Sequence, residues 1–150
     1  MGAVFGSIVV GTDGSETAKE AVRQAIELAR GLGSTLHIVS AYEPVSSARV
    51  RAESHQLPGD RQWMVNERDD VEATVQEAAG EASAAGVRAE VYVRQGDPAD
   101  SILDVAEEQS ADLVVVGNKG MTGAKRFLLG SVPNKVSHHA PCSVLIIRTT

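Results

Sequence analysis

Apolar residues fall along this chain in short β-branched runs, separated by longer stretches where they return every third or fourth position. The run SIVVGT (7–12) is broken by Asp13-Gly14-Ser15 and predicts a buried first strand. From Ser15 onward Ala18, Ala21, Val22, Ala25, Ile26, Leu28, Ala29 and Leu32 keep helical spacing, and Gly33 suits a left-handed stop. TLHIVSAY (35–42) predicts strand two. The segment 43–60 carries two prolines and several serines without a clear period, and reads as a loop. A long polar helix is expected over about 61–85, closing at Gly86, with strand three in the alternating VRAEVYV (87–93). Asp97-Pro98-Ala99-Asp100 starts a further helix, with an Asp cap and Pro in its first turn, which runs to about Gln109. DLVVVG (112–117) is strand four, VPNKVSHHA (132–140) a short helix, and SVLIIR (143–148) strand five.

This βαβαβαβαβ alternation predicts an α/β fold: an open five-stranded parallel sheet with helices on both faces. The 150 residues fit one domain spanning the chain. In such sheets ligands bind beyond the carboxyl ends of the strands, where strand order reverses. Strand four leads there into GNKGMTGAKRFLLGSVPNKV, rich in glycine. Glycines permit positive φ and let backbone N–H groups approach an anion, and the helix opening at Gly130 offers unpaired donors. A phosphate site and a plain glycine-rich turn both fit this spacing. No G-x-x-x-x-G-K-[ST] occurs, and GTDGSE after strand one lacks the G-x-G-x-x-G spacing.

The run Gly117-x2-Gly120-x9-Gly130-Ser131 resembles the nucleotide-binding signature of the universal stress protein family. IVVGTDGSETA and APCSVLIIR are similar to that family's first and last strands, so the resemblance covers almost the whole chain. It implies a Rossmann-like strand order 3-2-1-4-5, with the loops after strands one and four flanking one crevice. It also implies ATP with Mg2+ as the ligand of a stress-response switch. Asp13, with Gly11 and Thr12 beside it, would meet the adenosine half, and Ala41 would line the adenine pocket. Gly117 and Gly120 would pass under ribose and phosphates. Gly130, Ser131 and Val132 would supply N–H groups and a hydroxyl, and Asn118 and Lys119 polar contacts within the loop. Lys119, Lys125 and Arg126 bring positive charge there, or are solvated loop charges. Asp13 also fits a cap of the first helix, as Ser131 fits a cap of the last.

Composition narrows the partners. A net charge of −6 with 3% aromatic residues argues against nucleic acid. No apolar run approaches bilayer-spanning length and the first residues lack a basic region, so a cytoplasmic protein without membrane contact is expected. Gly6 stands where myristoylation needs Ser or Thr. The one cysteine, Cys142, has no partner for an internal disulfide and reads as a small apolar residue. His138 and His139 are adjacent and cannot chelate as an i, i+4 pair, and no histidine shows an acidic or nucleophilic partner in the sequence. Strand five would be an edge, yet VLII is apolar on both faces. Helices of the same chain could cover it; the resemblance implies instead a homodimer through strand five.

Three alternatives remain beside ATP binding. Cyclic AMP would occupy the same pocket. An ATP pyrophosphatase-like or adenylyl-transferring enzyme would use a similar sheet, but GTDGSETA lacks the leading Ser and paired Gly of that loop. With no evident base or arginine finger, hydrolysis is expected to be slow at most. A dimeric interaction protein without nucleotide is the third.

Overall fold

A computed structural model describes residues 4–42, 67–118 and 129–149. The strands are β1 (Ser7–Gly11), β2 (Thr35–Tyr42), β3 (Ala89–Gln95), β4 (Leu113–Gly117) and β5 (Ser143–Ile147). The helices are α1 (Glu16–Leu32), α2 (Glu67–Ala84), α3 (Pro98–Glu108) and α4 (Ser131–His139). All pairings are parallel, in the order β3-β2-β1-β4-β5. Both the five-stranded sheet and its order agree with the expectation.

Two apolar layers follow from strand alternation. Ile8 and Val10 point to the face covered by α1 and α2, where they join Leu36, Ile38, Ala25 and Val75. Val9 points the other way, toward α3 and α4, with Val39, Ile102, Val114 and Val136. Ile8, Val9 and Val10 are wholly buried, which is why β1 is a continuous apolar run and not an alternating one.

Local signals set the helix ends. Ser15 caps α1 by accepting from Ala18 N–H, and Gly33 closes it at φ 68° while donating to the Ala29 carbonyl. Asp97 caps α3 through Asp100 N–H, with Pro98 in the first turn. β3 begins two residues later than expected. Val87 N–H is still used by the Ala82 carbonyl at the end of α2, beside Gly86 at φ 78°, so the chain is not free to pair until Ala89. The expected helix start at 61 and the loop at 43–60 lie outside the described residues.

Asp112 fastens the middle of the sheet. Its carboxylate accepts from Gly6 N–H at 3.0 Å and Ser7 N–H at 3.1 Å, and its own N–H donates to the Ser7 carbonyl at 2.8 Å. β1 and β4 are thereby aligned at their N-terminal ends, and their carboxyl ends open together on the other side of the sheet.

Candidate functional site

A cleft of about 190 Å³ lies beyond the carboxyl ends of β1, β2 and β4. Gly11, Thr12, Asp13 and Ala41 line one side, and Gly117, Ser131 and Val132 the other. Seven of the positions singled out in the sequence therefore meet around one space.

The turn after β1 is built by short polar bonds. Thr12 N–H donates to the Val39 carbonyl at 2.9 Å, and the buried Ser40 hydroxyl donates to the Thr12 carbonyl at 2.6 Å. The Thr12 hydroxyl accepts from Gly14 N–H, and Asp13 accepts from Ser15 N–H at 2.8 Å. Asp13 is thus not the cap of α1, a role taken by Ser15; it closes an Asx turn through one carboxylate oxygen. Gly14 carries the positive φ, 81°, that this turn needs. At Gly11 the requirement is space. A Cβ there would run into the Ile102 side chain, which would have to shift, so β1 and α3 pack closely at a residue without one.

The opposite side is the start of α4. Gly130 occupies the cap position at φ −62° and ψ 164°, without a side-chain hydrogen bond. Positive φ was expected of the glycines in this loop. Neither Gly117 nor Gly130 has it, and the positive-φ glycines among the described residues are Gly14, Gly33, Gly86 and Gly96. Gly130 is buried and its N–H donates to the Asn118 carbonyl at 3.1 Å. Ser131 and Val132 open the helix with N–H groups that have no partner in the helical ladder, while Pro133 has no N–H to offer. Asn118 is held at the foot of the loop and is absent from the cleft lining. Lys119, Gly120, Lys125 and Arg126 lie outside the described residues.

The third wall was not anticipated. Pro98 and Ile102 of α3 face the cleft, as do Val39 and Ser40 of β2. The Asp97-Pro98 helix start was the available signal, because a helix beginning after a parallel strand begins at the carboxyl edge of the sheet. Lys135 joins the two helical walls, with its Nζ 2.8 Å from Asp100 and 3.4 Å from Asp97. The Asp97 carboxyl lies below its ordinary range, chiefly because Asp100 N–H donates to it, and Lys135 is raised, chiefly by Asp100.

One histidine departs from its sequence reading. His37 is buried on β2, and its Nδ1 is 2.9 Å from the Tyr92 hydroxyl and 3.6 Å from Glu90 Oε2. It therefore has an acidic neighbour after all. Burial lowers its pKa against the opposing pull of Glu90, and Tyr92 is pushed up to about 12, first by burial and then by its bond to Glu90. His138 and His139 are exposed in the last turn of α4. Cys142 is half-buried and its thiol is pushed up by burial. Among the described residues no group of three or more His, Cys, Asp or Glu is placed to hold a metal ion, and no helix is long and apolar enough to cross a membrane.

Comparison with known proteins completes the description. The universal stress protein family model matches residues 5–148. Universal stress protein Rv1636 of Mycobacterium tuberculosis is 36% identical over 147 residues, covering 97% of this chain and 98% of that protein. A crystal structure of a universal stress protein in complex with cAMP superposes with a TM-score of 0.73 at 33% identity, covering 99% of this chain and 100% of the other. The universal stress protein from Archaeoglobus fulgidus in complex with dAMP gives a TM-score of 0.66 at 26% identity, covering 97% and 99%.

Proposed function

This chain belongs to the universal stress protein family, and from that premise we propose that it is a stress-response regulatory protein whose cleft binds ATP with Mg2+. The observation that carries the reading is the meeting of two unlike surfaces. The free N–H groups at the start of α4 open onto the same cleft as the apolar floor of Val39, Ala41 and Ile102. A purine suits the floor, and a phosphate chain suits the helix end, where N–H donors and the helix dipole favour negative charge. Asp13 stands where a ribose hydroxyl would be met, and Gly117 where the backbone must come close. Lys119 and Gly120 belong to the same proposed site by their place in the signature.

Mg2+ would travel with the phosphates, since the residues around the cleft offer it one carboxylate. Asp13 is the single ionisable side chain in the described lining and is already committed to Ser15 N–H. Such a lining favours switching by occupancy over turnover, with slow hydrolysis at most. A second reading, cyclic AMP in place of ATP, is favoured by the 33% identical structure that was solved with that ligand. The protein is further proposed to act as a homodimer through β5, where Leu145 and Ile146 remain 38% and 37% exposed on an edge strand.

Calorimetric titration of nucleotide-free protein with ATP and magnesium tests the reading, and the same titration with cyclic AMP ranks the two ligands. Saturation near one site per chain is expected, and no heat with either nucleotide overturns both. Gly130→Val is expected to weaken binding by tenfold or more, on the order of 1.4 kcal/mol. Its far-ultraviolet circular dichroism should not change, because φ at this position suits any residue.

A further inference from the structure

Asn118 uses its backbone N–H, its carbonyl and its side-chain oxygen to hold the end of β4 in place. Its N–H donates to the Ile147 carbonyl at 2.8 Å, and its own carbonyl accepts from Gly130 N–H at 3.1 Å. Its side-chain oxygen accepts twice from one residue, from Thr149 N–H at 2.9 Å and from the Thr149 hydroxyl at 3.0 Å. The Thr149 methyl lies against Gly117, with 3.4 Å between it and the position a Cβ would take. Four bonds therefore converge on one residue, three of them coming from the end of β5 and its continuation. The fourth goes to the cap residue of the helix whose free N–H groups face the cleft.

We propose that Asn118 is a positioning residue for the anion-binding end of the cleft: clasped by Thr149, it aims its carbonyl at Gly130 and so fixes where the first turn of α4 stands relative to Gly117. This rests on the reading that Ser131 and Val132 receive phosphate. A residue held through its N–H and its side-chain oxygen has little freedom to turn, so its carbonyl offers the Gly130 N–H a fixed acceptor and the donors that follow in the chain a fixed aim. Without the side-chain oxygen, two of the four bonds vanish, and the carbonyl is held by the Ile147 and Gly130 bonds alone. The helix then keeps its fold, since its ladder and its packing through Val136 are untouched, but loses its placement. Because the clasp lies on the continuation of β5, the aim of the anion site is tied to the edge strand and not to the adenine side of the cleft.

The prediction is a split between two ligands. ATP reaches both halves of the cleft, whereas adenosine reaches only the half that Asn118 does not touch. Calorimetry with ATP·Mg2+ and with adenosine is to be made on wild type, Asn118→Ala, Thr149→Val and Thr149→Ser, with the urea midpoint of each. Asn118→Ala should lose ATP affinity by about tenfold with adenosine unchanged, Thr149→Val should lose about threefold, and Thr149→Ser should restore wild-type values. An unchanged ATP-to-adenosine ratio in Asn118→Ala overturns the proposal. So does a parallel fall in both affinities, which would mean a general loosening of the fold. If wild type binds neither ligand, the nucleotide reading itself fails and this inference with it; if wild type binds both and the ratio does not move, only this inference fails.

Discussion

His37 is 5% exposed on β2, with its ring nitrogen facing a hydroxyl and a carboxylate on the neighbouring strand. Its folded pKa lies below the ordinary histidine value of 6.5, with burial as the cause. The unfolded chain therefore takes up a proton that the folded one refuses. Stability from this residue is complete above about pH 6.5 and is lost as the pH falls below that value. Urea midpoints measured between about pH 7.5 and 5 are expected to fall more steeply for wild type than for His37→Gln; equal slopes would remove His37 from the account. None of this was legible in the chain, because Glu90 and Tyr92 reach His37 only through the β2–β3 register, which pairs His37 with Glu90. Asn118 was named for a polar contact in the loop, but its bond to Thr149 was hidden in the same way, Thr149 lying beyond the next helix and strand. By contrast, a strand followed by Asp-Gly-Ser announces its own end, and it was the family resemblance that pointed to Gly11, Thr12 and Asp13 there.

At the level of elements, what could be read locally was read well. The cap at Asp97, the stop at Gly33 and the run of β2 all depend on residues a few positions apart, whereas the cap weighed for α1 was Asp13 and the residue that caps it is Ser15. The start of β3 was misplaced because Val87 is apolar and looks like strand, while its N–H belongs to the end of α2. The α3 wall of the cleft was missed because Pro98 and Ile102 carry no binding signature; only the sheet brings them beside Gly11. Asp97 serves two elements, capping α3 and reaching Lys135 on α4. Asp97→Ala should lower the folding free energy by about 1 kcal/mol, mainly through the lost cap. Lys135→Met should cost less than Asp97→Ala, because its pairs are half in solvent. Chemical denaturation of the two variants checks the order, and a larger loss in Lys135→Met would reverse it.

For the whole molecule, strand alternation announced the doubly covered parallel sheet, and family resemblance supplied its order. Neither says what meets the outer edge of β5. There Leu145 and Ile146 are left partly open, so cover by the chain's own helices is incomplete among the described residues. If a second copy covers that edge, Leu145→Glu with Ile146→Lys should halve the mass seen by sedimentation equilibrium without lowering the far-ultraviolet signal. A wild type already monomeric at micromolar concentration would dismiss the dimer. The position of β1 between β2 and β4 has one more consequence. During synthesis β2 follows β1 closely and can pair with it at once, but Asp112, which locks the other flank, leaves the ribosome 106 residues after Gly6. Until then half of the central strand's hydrogen-bonding edge is open, and of the two helices that cover Val9 and Val39 α3 has been made and α4 has not. The cleft is thus closed only once α4 has been made, and a chain stalled before β4 would present to chaperones part of the surface that later becomes the floor of the site.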